Sequence, residues 1–513
     1  MKHAMKFHLL LALGLMGVGL LPAVPSTNSW NQFRGPNSSG VADAFKPPIK
    51  LDPRTLIWKR AIPPGLSSPV LSRNKIFLTA VEGQRLVTLA FDVASGKPAW
   101  SQPAPSVAAE KVHEANSPAT PTPYVDGERV HVYFGAYGLI CYDLDGREQW
   151  KKPIDTPRSL YGSATSPIGH GENMILVLDN EANLPDSKLS QSRILALKKS
   201  TGELVWETAR PFQRSGWSTP TIWTHADGED LVVLGSGRLS GYDPRTGAEK
   251  WFTTGFSRET IAQPVSGHGQ LYAAAAMLGG VPDEQPDPEP FWKAMLRFDA
   301  NGDGKVERSE MTKHFTYPLR PELPLGHPGF GIPLPEEGDK RTKRQNETFG
   351  SMDKDKDGSI SREEFIANLS FRRGKPMLVA VRPGGQGDVT DTHVAWQLNR
   401  SIPEIPSPLF HRDRIYMVRN GGILTCVNAT TGKIIYDERL EGSGQYSASP
   451  VLANGHLYLV SNRGRVSVVK AGDAFELVHQ RDLGEPAFVT PAFDATTIYI
   501  RTQTNLCAFR ISG

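Results

Sequence analysis

Leu239-Ser-Gly-Tyr-Asp243-Pro-Arg-Thr-Gly247-Ala-Glu-Lys-Trp251 decides the reading of this chain, because variants of it recur along most of the length. The pattern returns as Leu89-Ala-Phe-Asp92-Val-Ala-Ser-Gly96-Lys-Pro-Ala-Trp100, as Ile140-Cys-Tyr-Asp143-Leu-Asp-Gly146-Arg-Glu-Gln-Trp150 and as Leu195-Ala-Leu-Lys198-Lys-Ser-Thr-Gly202-Glu-Leu-Val-Trp206. Looser copies run from Leu378 to Trp396, Leu424 to Tyr436 and Val466 to Val478. Each copy reads as a strand, a tight turn and a second strand: Asp or Asn folds its side chain back onto the turn backbone, and Gly supplies the positive φ. The closing Trp is expected to pack against a neighbouring copy.

A Ser-Pro, Thr-Pro or Gln-Pro pair precedes each hairpin, at Pro69, Pro118, Pro167, Pro220, Pro264, Pro408, Pro450 and Pro491. Successive prolines are 41 to 53 residues apart except between Pro264 and Pro408. Eight units of this period, each with several short strands, predict an all-β, eight-bladed β-propeller. Two residues before each Asp-like position stand Ala90, Cys141, Ala196, Gly241, Ala380, Cys426, Val468 and Cys507, mostly small and suited to crowded contacts between blades. The last unit runs out of chain before its Trp-bearing strand, while Leu56-Ile-Trp58-Lys matches that strand and lacks a unit of its own. The N- and C-terminal strands are therefore expected to share the closing blade.

The repeat resembles that of the propeller family named after pyrroloquinoline quinone (PQQ), Leu-x-Ala-Leu-Asp-x-x-Thr-Gly-x-x-x-Trp. The resemblance covers residues 56–276 and 377–513. It implies the propeller fold and leaves function open, since the family includes quinoprotein dehydrogenases and a lipid-anchored, non-catalytic scaffold of outer-membrane protein assembly. Trp30-Asn-Gln-Phe33-Arg34-Gly35-Pro36-Asn-Ser-Ser-Gly40-Val also resembles the N-terminal signature of a group of secreted bacterial propellers of this family.

Residues 1–23 carry Lys2 and Lys6, an apolar run from Phe7 to Leu21 and then Pro22-Ala23, the pattern of a secretory signal peptide. No Cys follows the run, so no lipid anchor is expected, and the product is read as periplasmic or secreted, without a membrane anchor after cleavage. Residues 24–55 form an N-terminal extension, 56–277 and 377–513 the propeller, and 278–376 an insertion in the fifth blade. The net charge of +3 gives no reason to expect a nucleic acid partner. Gly and Pro, 49 and 41 residues, match a fold of many turns. The three cysteines occupy one small-residue position in separate blades and are read as buried free thiols.

Leu278–Pro376 breaks the repeat and turns charged and helical. Asp299-Ala-Asn301-Gly-Asp303-Gly304-Lys305-Val306-Glu307-Arg-Ser-Glu310 and Asp353-Lys-Asp355-Lys-Asp357-Gly358-Ser359-Ile360-Ser361-Arg-Glu-Glu364 both fit the twelve-residue EF-hand loop. Calcium wants six to eight oxygens, here from Asp299, Asn301, Asp303, the Lys305 carbonyl and Glu310, and from Asp353, Asp355, Asp357, the Ser359 carbonyl and Glu364. Gly304 and Gly358 make the sharp turn, and Val306 and Ile360 are placed to pair as a short β-bridge. A solvated acidic turn explains one such loop; two complete ones, each flanked by apolar residues at helical spacing, predict two calcium sites. Phe291–Phe298 and Asp339–Met352 are the expected entering helices; Met311 and Phe315, then Phe365, Ile366 and Leu369, are the apolar faces of the exiting ones. A dockerin-like pair is the alternative arrangement.

Enzyme motifs are scarce. His113-Glu114-Ala-Asn-Ser117 begins like a zinc-protease motif and lacks its second His; there is no haem-attachment motif, nucleophile elbow or Walker loop. The adjacent cysteine pair of quinoprotein alcohol dehydrogenases is also missing, which argues against PQQ. The residues just before each innermost strand should face the central funnel: His113, Glu114, Asn116, Tyr161, Arg214, Trp217, Glu259, Gln263, Glu404, Gln445, Tyr446 and Glu485. Such mixed aromatic and polar groups suit a saccharide, a peptide or an envelope protein. The sequence thus reads as a monomeric, non-enzymatic, calcium-binding propeller that acts as a binding or scaffold protein of the cell envelope. The alternative is a PQQ-dependent dehydrogenase-like oxidoreductase, or another carbohydrate-active enzyme, using the funnel.

Overall fold

At each well-formed copy of the repeat the Asp-like residue and the Gly close a hairpin: Gly96 N donates to Asp92 O at 2.8 Å and Gly247 N to Asp243 O at 2.8 Å. The side chains do as expected, with Asp92 Oδ1 accepting from Ser95 N at 2.8 Å and Asp243 Oδ1 from Arg245 N at 2.8 Å. The turn glycines have positive φ, 65° at Gly96 and 72° at Gly202. Their second role is spatial. The Trp of one blade lies on the turn Gly of the next, so that a Cβ at Gly96 would stand 2.6 Å from Trp58, and one at Gly202 2.6 Å from Trp150. The indole N–H then reaches a carbonyl of that turn: Trp58 to Val93 O at 3.1 Å, Trp100 to Leu144 O at 2.9 Å, Trp150 to Lys199 O at 2.8 Å, Trp206 to Pro244 O at 3.3 Å and Trp396 to Ala429 O at 2.9 Å. Trp251 is the exception and donates within its own blade, to Asp230 Oδ2 at 2.7 Å; the blade that follows has a longer loop at this place, whose Gly387-Asp388 pairs in parallel with Trp251-Phe252.

The computed structural model describes residues 30–511 apart from 108, 111, 156–158, 160, 180–191, 211–212, 214–215, 258, 277–287, 313, 319–320, 322–323, 328–329, 336–337, 373–374 and 443. Eight antiparallel sheets of four consecutive repeat strands form the blades of an eight-bladed propeller. The eighth is closed as expected, with Leu56–Ala61 as the outer strand beside Asn505–Arg510. Its register differs from the sequence reading by one residue. Trp58 pairs with Ala508, as Trp100 pairs with Ala90, so Ala508 and not Cys507 holds the small-residue position. A shift of one residue turns a side chain to the other face of a strand. In the seventh blade the residue opposite Val468 is His479, one beyond Val478, across a bulge. All three cysteines are free and buried, and burial pushes the thiols up, Cys507 to about 11 and Cys426 to about 12.

The Ser/Thr-Pro marker also has a structural role. From the second blade on, the hydroxyl accepts the backbone N–H of its counterpart in the preceding blade: Ser68 N to Thr122 Oγ1 at 2.9 Å, Thr122 N to Ser166 Oγ at 2.9 Å, Ser166 N to Thr219 Oγ1 at 3.1 Å, Gln263 N to Ser407 Oγ at 2.9 Å, Ser407 N to Ser449 Oγ at 2.9 Å and Ser449 N to Thr490 Oγ1 at 3.0 Å. This belt fixes the second blade's marker as Thr122-Pro123, directly before its inner strand Tyr124–Val125, and not as Ser117-Pro118.

The N-terminal extension does not trail outside the ring. Residues 30–42 lie across the central channel and bond to inner strands on several sides: Leu71 N to Trp30 O at 2.7 Å, Val125 N to Asn31 O at 2.8 Å, Asn37 Nδ2 to Ile222 O at 2.9 Å, Arg34 Nη2 to Pro408 O at 2.7 Å and Leu452 N to Gly40 O at 2.8 Å. Val41–Ala42 adds a parallel strand to the innermost strand of the seventh blade. Trp30 and Arg34 are fully buried, and burial lowers the Arg34 guanidinium to about 9.

The insertion joins adjacent strands of the fifth blade, Gln270–Ala275 and Met377–Val381, whose ends Ala275 and Met377 pair directly. It has its own core, built from Phe291, Trp292, Met295, Phe298, Phe315, Phe349, Met352 and Phe365, with no propeller residue in the cluster. Replacing residues 278–376 by a short Gly-Ser loop is therefore expected to leave a soluble all-β protein that unfolds cooperatively in urea. Loss of folding would show that the insertion belongs to the propeller core.

Candidate functional site

Three helices frame the two acidic loops of the insertion: α1 (Pro288–Met295, continued by a 3₁₀ turn Leu296–Phe298), α2 (Asp339–Met352) and α3 (Arg362–Arg372). The expected helix after the first loop is missing. Arg308–Glu310 makes a single 3₁₀ turn and the chain then enters a hairpin, Thr316–Pro318 with Gly331–Pro333; Pro318, Pro321 and Pro324 bar any helix from continuing beyond this point. Met311 and Phe315 are buried all the same. Val306 pairs with Ile360 as an antiparallel bridge, which sets the loops side by side.

Both loops curl so that their acid oxygens accept the loop's own N–H groups. Asp299 takes Gly302 N at 2.7 Å and Gly304 N at 2.9 Å; Glu310, from position 12, reaches back to Ala300 N at 2.7 Å. In the second loop Glu364 Oε1 takes Lys354 N at 2.5 Å, and its Oε2 takes Ser361 N at 2.9 Å. Gly304 and Gly358 have φ of 82° and 89°, which L side chains rarely adopt. Asp353, Asp355 and Glu364 bring ligand oxygens within 4.8 Å of one another. Burial and the Glu364 charge raise the Asp353 carboxyl, whose Oδ1 is buried with no hydrogen-bond partner. An oxygen-rich pocket with an orphaned carboxylate oxygen fits a hard divalent cation.

The second candidate site is the funnel, a cavity of about 210 Å³ at the channel mouth. Its lining includes the belt hydroxyls Ser68, Thr122, Ser166, Thr219, Ser407, Ser449 and Thr490, together with apolar Leu66, Ile261, Ile405, Phe488 and Val489. Phe33, from the segment lying across the channel, joins the lining. Every one of the described lining residues is uncharged. In an antiparallel blade the loop between the second and third strands leaves at the same end as the connection to the next blade. The insertion and the funnel therefore share one face. Lys375 N donates to Gly255 O at 3.3 Å, tying the insertion's return to the connection that leads into the fifth blade.

Residues 49–223, 162–281 and 387–513, together well over half of the chain, match the family model described as outer membrane protein assembly factor BamB. The chain belongs to this family of PQQ-repeat propellers. Residues 292–370 match the EF-hand domain pair. Among solved structures, BamB from Moraxella catarrhalis is similar at 12% identity and TM-score 0.51, covering 89% of this chain and 97% of its own. The computationally designed Ika8 protein matches at 10% identity and TM-score 0.50, covering 89% and 100%. A quinohemoprotein alcohol dehydrogenase from Pseudomonas putida matches at 10% identity and TM-score 0.49, covering 95% and 81%. At such identities the likeness shows the fold alone. No curated protein matches the chain.

In this BamB-family propeller only part of the expected rim faces the cavity. Asn116, Tyr161 and Trp217 line it; Tyr161 and Trp217 meet edge to face at 5.3 Å, and Asn116 Nδ2 donates to Tyr161 O at 2.6 Å. His113 lies on Tyr161 with ring centroids 4.8 Å apart, and Glu114 and Gln445 are exposed. Tyr446 and Gln263 are corrections: both are buried, Tyr446 in the core between the sixth and seventh blades, Gln263 with its amide donated to Pro220 O at 2.8 Å. Glu259 is half-buried on the connection into the fifth blade. Glu404 accepts from Asn420, and Glu485 pairs with Lys59 of the closing strand at 2.8 Å. Arg214 and residues 1–29, which hold the expected signal peptide, lie outside the described residues. No helix among the described residues is long and apolar enough to cross a membrane.

Proposed function

We propose that the protein is a calcium-binding, non-enzymatic propeller of the cell envelope that offers its funnel face to a ligand or partner, with the EF-hand pair on that same face. The gathering of Asp353, Asp355 and Glu364 around a buried, unpartnered Asp353 oxygen carries the calcium part of the reading. Asp299, Asn301, Asp303, the Lys305 carbonyl and Glu310 would hold a second ion. Bound calcium would supply charge and fix the loops; it lies outside the funnel and has no part in chemistry there. The binding role is supported by the cavity's lining. PQQ is a tricarboxylate, and the described lining residues offer it hydroxyls and apolar groups and no cation. They suit an uncharged saccharide or peptide segment.

Purified protein is accordingly expected to show no quinone absorbance, and no dye reduction with alcohols or aldoses after reconstitution with quinone and calcium. Stoichiometric quinone binding with turnover would overturn the reading. Retention on immobilised envelope glycan or peptide should weaken at least several-fold in Tyr161→Ala and Phe488→Ala, which trim the aromatic lining, since such anchors commonly dominate contact energy.

A further inference from the structure

Lys305 stands at position 7 of the first loop, where only its carbonyl is expected to matter. Its side chain does something the loop motif does not ask for: Nζ crosses to the second loop and pairs with Asp357 Oδ2 at 3.0 Å. The bridge Val306↔Ile360 sets this reach, because it holds Lys305 beside the second loop. Asp357 is the position-5 acid of that loop. Its other oxygen, Oδ1, accepts Ser359 N at 2.7 Å and Ser359 Oγ at 2.7 Å, so both oxygens are engaged. Asp303, the position-5 acid of the first loop, accepts Lys305 N at 2.9 Å and Asn301 Nδ2 at 3.3 Å, and no ion pair to it is seen among the described residues. The second loop carries four acids in ligand positions, Asp353, Asp355, Asp357 and Glu364, against three in the first, Asp299, Asp303 and Glu310.

We infer that Lys305 is an internal competitor for calcium: its ammonium holds Asp357 of the second loop, so that the first loop fills first and the second fills only by displacing it. The inference rests on the calcium reading given above. Displacement has a return effect. An ion in the second loop frees the Lys305 ammonium beside the first, whose ion is held by the carbonyl of the same residue, and the two sites thereby oppose each other. The lysine tunes affinity through charge alone.

Calcium chloride titrations of the full chain by calorimetry test this, with each loop read alone. In an Asp299→Ala background, which silences the first loop, Lys305→Met should tighten the second by roughly two- to five-fold, the range spanned by one exposed ion pair. The gain should shrink as salt is raised, and Lys305→Arg should restore the parent affinity. In an Asp353→Ala background, which silences the second loop, Lys305→Met should change the first by less. Calcium binding in the Asp299→Ala background that Lys305→Met leaves unchanged would overturn the inference while leaving the calcium reading intact. Absence of binding in both single-loop backgrounds and in the parent chain would overturn both. Far-UV circular dichroism of each variant confirms that the helices remain.

Discussion

Trp58→Ala is expected to destabilise the propeller by about 3–5 kcal/mol, the range for removing a buried large aromatic side chain. Trp58 sits on the one outer strand that the N-terminal part of the chain supplies, and it seals the closing blade against the first. It is 6% exposed, donates to Val93 O at 3.1 Å and covers Gly96. Gly96→Ala should cost about 1–2 kcal/mol for the left-handed backbone alone, and more because the new Cβ would stand 2.6 Å from the indole. Urea unfolding of both variants and of the double variant checks the mechanism. With the indole gone, Gly96→Ala should fall back to its backbone cost, so the two changes must be non-additive. Additive losses would mean that Trp58 and Gly96 do not form the contact described.

Trp30→Ala is expected to have an effect of the same size, about 3–5 kcal/mol, although Trp30 belongs to no blade. It is 1% exposed, meets Phe493 of the eighth blade edge to face at 5.2 Å, and gives its carbonyl to Leu71 N of the first at 2.7 Å. It therefore spans the closure seam from inside the ring, as Trp58 does from outside. Asn37→Ala, on the same segment but at an exposed residue whose amide donates to Ile222 O at 2.9 Å, should cost only about 1 kcal/mol. A Trp30 variant as stable as the parent in urea would show that the segment across the channel is an ornament of the ring and not one of its fastenings.

Much of this architecture is legible in the residues because the hairpin signal is local. Asp92, Gly96 and Trp100 lie close together in the chain, and turn chemistry and alternation fix their roles before any long-range contact is known. The EF-hand loops are legible for the same reason: liganding positions and the sharp glycine fall within twelve residues. The channel segment is not. Nothing in Trp30–Gly40 states that its partners are Val125, Ile222, Pro408 and Leu452, the last of them 412 residues beyond Gly40. The register of Cys507 was missed because the last strand lacks an Asp to count from, and Arg510 holds that place. Tyr446 was misread as a rim residue because a connection between blades alternates between the cavity and the core, and only packing decides which. The belt of hydroxyls was visible as a row of Ser/Thr-Pro pairs, but its bonding runs between blades and has no trace along the chain.

The central claim is the pair of calcium loops, and calorimetry of the full chain against calcium, beside an Asp299→Ala plus Asp353→Ala variant, tests it most directly. The account predicts about two ions per parent chain, with dissociation constants on the order of 10⁻⁴ to 10⁻³ M if the loops behave as extracellular modules do. At a hundred times the dissociation constant the parent insertion should gain about 2.7 kcal/mol per ion. The double variant should show neither binding nor gain. Equal calcium binding by parent and double variant, or none by the parent, would contradict it.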